Sequence, residues 1–144
     1  MERRVVITGL GAITPIGNNV NETWKSIKNK VCGIDNITLF DNSNFKTKLA
    51  AEVKNYEPLK YFDLKQTKRV DKSSQFAIIA AREAVLDSGI TKENTNYDRV
   101  GVFVSTGIGG LKTIQEQCSI KDFKSNKKIS PLFIPKAIAN MPAR

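Results

Sequence analysis

Apolar residues along this chain fall into two kinds of run. Segments 4–8 (RVVIT) and 99–105 (RVGVFVS) are short, β-branched and nearly continuous, which predicts strands buried on both faces. Elsewhere the apolar positions recur at helical spacing. Val20, Trp24, Ile27 and Val31 make one stripe, with Asn21 as the expected N-cap and Gly33 as the stop. Glu22 in the first turn of that helix, and Lys28 and Lys30 in its last, suit the macrodipole. From about Asp71 to Asp87, the residues Phe76, Ala77, Ala80, Ala81, Ala84 and Val85 form a broad apolar face. Its alanines predict close packing against another element, and Ser88-Gly89 ends the helix. Gly107-Ile108-Gly109-Gly110 reads as a turn leading into a helix over Leu111–Gln117.

The intervening stretches are weaker. Residues 34–47 are rich in Asn, Asp and Ser and read as a loop, while Leu49–Val53 predicts a short strand. Pro58 punctuates the next segment, residues 124–130 form a basic loop, and Pro131–Met141 is an apolar stretch. Strands alternating with helices, without repeats or low-complexity linkers, predict an α/β fold.

Composition adds constraints. At 144 residues, 40% hydrophobic and 26% charged, the chain is sized for one ordinary globular domain. No apolar run approaches the roughly 20 residues that span a membrane. The brief apolar stretch at the N-terminus breaks at Gly9 and lacks a signal-peptide cleavage pattern. Cys32 and Cys118 have neither metal-ligand spacing nor a disulfide framework around them, which predicts a soluble protein of a reducing compartment. The formal net charge of +9 favours an acidic partner: nucleic acid, an anionic membrane or an acidic protein. The histidine count is 0, so Ser-His-Asp and Cys-His catalysis are excluded within this chain.

Two glycine clusters bear on chemistry. Gly9-Leu10-Gly11 after a strand is how a dinucleotide-binding loop begins. The third glycine of that fingerprint is replaced by Thr14, however, and Pro15 follows where a helix should already be running. The expected acid about 20 residues later has no strand to end. The better reading is a strand-to-loop turn requiring glycine conformations. The second cluster, Gly107 to Gly110, lacks the Lys-Ser/Thr ending of a P-loop. It is either an ordinary turn or a place where backbone approaches a ligand.

Basic residues form two sets. Lys60, Lys65, Lys68, Arg69 and Lys72 share a short stretch with Asp63 and Asp71, and Lys121, Lys124, Lys127, Lys128 and Lys136 surround Asp122. A solvated face is the ordinary outcome; two such sets in one small chain raise an electrostatic docking surface as the alternative. Aromatics interleaved with the basic residues, or a reader helix, would mark a nucleic-acid binder, and neither is evident.

Taken in order, RRVVITGLGAITPIGN, TWKSIKNKVCGI, RVDKSSQFAIIAAREAVLDSGI, RVGVFVSTGIGGL and KKISPLFIPKAIANM cover almost the whole chain. The ordered set resembles the N-terminal part of a β-ketoacyl-acyl-carrier-protein synthase, and Ile108 within GIGG, with KISPLFIP after it, resembles type II. The resemblance implies a thiolase-like α/β fold of two similar halves, each with a five-stranded sheet, in a homodimer. It implies fatty-acid elongation by decarboxylative Claisen condensation, with acyl and malonyl carrier protein as partners and no cofactor, metal, nucleic acid or membrane. In that family a cysteine takes the acyl group, and two histidines and backbone amides stabilise the developing charge.

By position in the matching blocks, Ile108 resembles the residue gating the acyl pocket, and Phe133 an aromatic reaching the partner subunit's pocket. Lys65, Lys68 and Arg69, with Lys127 and Lys128, resemble the patch that docks carrier protein. The family's nucleophile and histidines fall after the IANM block, so residues 1–144 are expected to be a segment preceding them, without catalytic residues of its own. Neither Cys32 nor Cys118 matches the nucleophile's motif. The resemblance further implies a cytoplasmic or plastid location. A catalytically empty interaction module is the second reading, a basic nucleic-acid binder the third. With much of the fold's packing surface missing, the isolated chain is expected to be marginally stable.

Overall fold

Asn19 starts the first helix by accepting a hydrogen bond from the amide of Glu22, 2.8 Å, and α1 runs over Val20–Lys28. The cap is therefore Asn19, two residues ahead of the expected Asn21, since only a side chain outside the first turn reaches its free amides. The helix also ends before Lys30, which adopts a left-handed conformation at φ 56° and so leaves the last turn to Lys25 and Lys28. In a computed structural model of the protein, residues 3–119 and 128–143 are described. The chain divides into two compact units, Met1–Tyr56 with Ile79–Thr91, and Glu57–Ile78 with Lys92–Arg144.

The first unit holds α1 and a small antiparallel ribbon, β1 (Ile34–Asn36) against β2 (Leu49–Ala51), with Ile34 opposite Ala51. The second unit contains α2 (Leu64–Arg69), α4 (Leu111–Cys118) and α5 (Phe133–Ala137). Single 3₁₀ turns lie at Pro58–Lys60, Tyr97–Arg99 and Met141–Ala143. The 17-residue α3, Lys72–Ser88, passes from the second unit into the first after Ile78 and closes on Gly89 at φ 69°, a left-handed cap that glycine adopts freely.

Three expectations change. Residues 34–36 are a strand rather than loop, because Leu49–Ala51 supplies a ladder for them. Segments 4–8 and 99–105 carry no ladder, and Val5, Ile7 and Phe103 are exposed to 85%, 82% and 96%. β-branched sequence favours an extended backbone, but a strand exists only against a hydrogen-bonded neighbour, and the described residues give these segments none. The sheet of the described residues has two strands.

The glycines after the first segment have a different cause from the one expected. Neither Gly9 nor Gly11 has a positive φ. A side chain at Gly9 would strike the carbonyl of Ala84, and one at Gly11 the carbonyl of Ala80. The alanine face of α3 thus does pack closely, and its partner within this unit is the glycine segment.

Candidate functional site

The amides that a phosphate would need in a dinucleotide loop are already taken. The Leu10 N–H donates to Asp87 Oδ2 and the Ala12 N–H to Glu83 Oε2, both at 2.9 Å. The other Glu83 oxygen, Oε1, accepts from the Val20 N–H at the start of α1, again at 2.9 Å. Glu83 of α3 therefore occupies the positive end of α1 that would attract an anion, and Asp87 takes a loop amide beside it. Past Gly11 the chain makes a tight turn, Thr14 N–H to Gly17 O at 2.8 Å, with Pro15 and Ile16 at its tip, where a nucleotide fold would begin its helix. Geometry and sequence agree in rejecting that role.

The basic residues separate by neighbour. Lys65, Lys68 and Arg69 all lie on α2, at spacings of three and four residues that share a helical face, and all three are exposed. They stand apart from the ion pairs found among the described residues, Lys54–Asp35, Lys60–Glu57 and Lys112–Glu116. Lys72, counted in the same stretch, sits 5.5 Å from the centre of the Phe76 ring. Lys128 is exposed beyond the end of α4, and Lys127 lies outside the described residues. Lys136 is half-buried on α5 and its charge acts on Asp71, so it leaves the solvated basic set to which its sequence assigned it.

Asp71 is the one carboxylate with a buried setting among these groups. Only 8% exposed, it accepts from Thr113 Oγ1 at 2.6 Å, Ser73 Oγ at 2.8 Å and the Ser73 N–H at 2.9 Å. Burial pushes its pKa up, but the bonds from Thr113 and Ser73 and the charge of Lys136 together outweigh that and hold it below the ordinary carboxylate value. Asp71 also begins α3, its carbonyl accepting from the Gln75 N–H at 2.9 Å. Its importance was legible only as the acid before an apolar helical run; the partner 42 residues away was not.

Ile108 and Phe133 belong to elements in contact. Gly109 turns with φ 81°, and the buried Gly110 donates its N–H to the Ala137 carbonyl of α5 at 3.3 Å. Side chains at either glycine would collide with that strand of backbone, so the cluster is a close approach between two parts of this unit. Ile108, 62% exposed, projects from the turn before α4, and Phe133, half-buried, starts α5. Neither lines the cavity of about 250 Å³ in this unit, whose walls are Arg69, Val70, Asp71, Ser74, Ile78, Pro135 and Met141. A second cavity, about 320 Å³, lies along the ribbon of the first unit, beside the Asp35–Lys54 pair. Cys32 and Cys118 are both exposed free thiols. Among the described residues no helix is long and apolar enough to cross a membrane.

Comparison with known proteins gives these features a setting. The chain is 44% identical over 140 residues to 3-oxoacyl-acyl-carrier-protein synthase 2 of Coxiella burnetii, covering 97% of this chain and 34% of the relative. It is 41% identical to the enzymes of the same name from Staphylococcus aureus and Synechocystis, over 96% and 97% of this chain and 34% of each relative. The chain therefore spans about a third of the length of these relatives. Among solved structures, the ishigamide ketosynthase/chain length factor superposes with a TM-score of 0.78 at 28% identity, over 99% of this chain and 36% of that one. The same fold recurs, at 22% identity and a TM-score of 0.77, in a structure of a type II polyketide acyl-carrier protein in complex with its ketosynthase bound to the hexaketide, over 99% and 38% of the two chains. The family description "Beta-ketoacyl synthase, N-terminal domain" matches residues 2–144, and with a match of that extent the chain belongs to the beta-ketoacyl synthase family.

Proposed function

We propose that residues 1–144 act as the N-terminal segment of a 3-oxoacyl-acyl-carrier-protein synthase, preceding its nucleophile, and that they supply carrier-protein docking and acyl-pocket lining rather than the bond-making groups. The observation that carries this reading is the exposed basic face of α2 in a chain of this family. Lys65, Lys68 and Arg69, joined by Lys127 and Lys128, meet the acidic surface of acyl carrier protein. Ile108 and Phe133 line the path of the acyl chain, Phe133 across a homodimer interface. In the complete reaction an acyl thioester forms on a cysteine, malonyl carrier protein loses carbon dioxide, and the resulting carbanion attacks the thioester. Those steps need groups that this chain, with 0 histidines, does not contribute. By itself it binds without turnover.

Docking through exposed charges acts mainly on encounter rate and fades with salt. Titrating acyl carrier protein onto the chain is expected to give binding that weakens steeply with added salt. Reversing Lys65, Lys68 and Arg69 to Glu is expected to weaken it by about tenfold or more at low salt. Equal affinity of parent and charge-reversed chains would remove the docking assignment.

A further inference from the structure

The junction between α2 and α3 buries more polar side chains than apolar ones. Asp71, Ser74 and Gln75 are exposed to 8%, 4% and 6%, and Thr113 on α4 to 5%. Polar groups in such places are costly unless bonded, so their bonds indicate what the junction is built to hold. Gln75 donates its amide to two carbonyls at the end of α2, Thr67 O at 3.3 Å and Val70 O at 2.8 Å. Asp71, one residue past the α2 cap, accepts the hydroxyl of Thr113 from the first turn of α4. Ser130 extends the frame by donating its N–H to Gln117 Oε1 at 2.7 Å, which ties the approach to α5 to the end of α4.

The object held is a helix of 6 residues, shorter than helices that persist unaided in water. Its local support is a capping box, in which Asp63 accepts from the Gln66 N–H and Gln66 returns a bond to the Asp63 N–H. None of these bonds uses Lys65, Lys68 or Arg69, whose side chains stay outside. Long basic side chains keep their own freedom, so a docking face is made specific by fixing the backbone beneath them.

We infer that Thr113 and Gln75 are positioning residues, which hold the basic face of α2 in fixed register with α4, which follows the turn bearing Ile108, and with α5, which begins at Phe133. The inference rests on the docking reading above. It adds that the site of capture and the apolar elements beyond it are set relative to one another by two buried polar contacts. An acyl chain tethered to a docked carrier has a fixed reach, so loss of that register misplaces it even where every basic residue remains.

The test uses the 144-residue chain with Thr113→Val, which keeps shape and removes the hydroxyl, Gln75→Leu, and Thr113→Ser, which restores a donor. Amide hydrogen exchange at Thr67 and Val70, both bonded within α2, reads the clasp directly, with Thr23 of α1 as the internal reference. Exchange at those two amides is expected to rise about tenfold in Thr113→Val and Gln75→Leu, with Thr23 unchanged and Thr113→Ser near the parent. Affinity for acyl carrier protein is expected to fall severalfold in the same two variants, with a shallower salt dependence, and to recover in Thr113→Ser. Unchanged exchange in α2 overturns the inference whether or not carrier protein binds. A loosened α2 with unaltered affinity and salt slope overturns the positioning role and leaves only a structural one. A parent chain that never binds carrier protein overturns the docking reading instead, and the exchange data still decide whether the clasp holds α2. Should Thr113→Val fail to fold, Gln75→Leu carries both readouts.

Discussion

Gly11 shows how a single hydrogen in place of a methyl group can decide an arrangement. Its backbone lies against the carbonyl of Ala80, an atom fixed in the middle of α3 that has no freedom to move aside. Gly11→Ala is therefore expected to cost about 1–3 kcal/mol as an overpacked contact, read as a fall in the urea midpoint. Gly107→Ala meets nothing within 4 Å and is expected to change that midpoint little. If the two variants behave alike, close approach is not why position 11 is glycine. The sequence identified both glycines of this loop but gave them the wrong reason. Conformational freedom is a local property and readable from neighbours, whereas the approach of a helix 69 residues later is not. The same distance hid the role of Asp71, whose bond to Thr113 exists only after folding.

At the scale of elements, what was legible follows from how each element is stabilised. Helix α3 was recognised nearly to the residue, since a long 3.6-residue period and a terminal glycine are both local signals. Helix α2 is short and dominated by charge, so its local signal is no periodic stripe but the capping box that Asp63 and Gln66 spell three residues apart. That box should matter more than usual in so short a helix. Asp63→Ala is expected to cost about 1 kcal/mol, appearing as faster amide exchange confined to α2. Equal protection in parent and variant would mean that tertiary bonds alone hold it. Strands behaved in the opposite way to helices: Ile34–Asn36, rich in turn-forming residues, pairs, while the strongly β-branched segments 4–8 and 99–105 do not. A helix satisfies its own backbone, and a strand must borrow a partner.

At the scale of the whole molecule, the distribution of apolar surface is the dominant fact. Among the described residues the buried apolar side chains are Phe62 and Ile79, while Trp24, Leu86 and Val102 stay exposed along with the unpaired segments. Such surface in water favours association and loose packing, and a net charge of +9 slows the first without curing the second. The isolated chain is expected to bind the dye ANS, to melt over a broad range, and to associate as its concentration rises. A sharp, reversible, concentration-independent transition of a monomer would contradict this. Either result bears directly on whether docking can be measured on this chain alone.

The sequence by itself determined the family, the α/β class, the long helix and the rejection of a nucleotide loop, because each rests on short-range patterns or on an ordered set of motifs. It also placed Lys65, Lys68 and Arg69 on one short stretch, which the period of a helix turns into one face. Only the tertiary structure decided that the charge of Lys136 acts on Asp71, that Glu83 and Asp87 take the amides of the glycine loop, that Thr113 bonds Asp71 at the start of α3, and that Gln75 bonds the carbonyls at the end of α2. Those choices join residues far apart in the chain. Their free energy comes from burying polar groups with satisfied partners, and partners at that distance exist only once the backbone has brought them together.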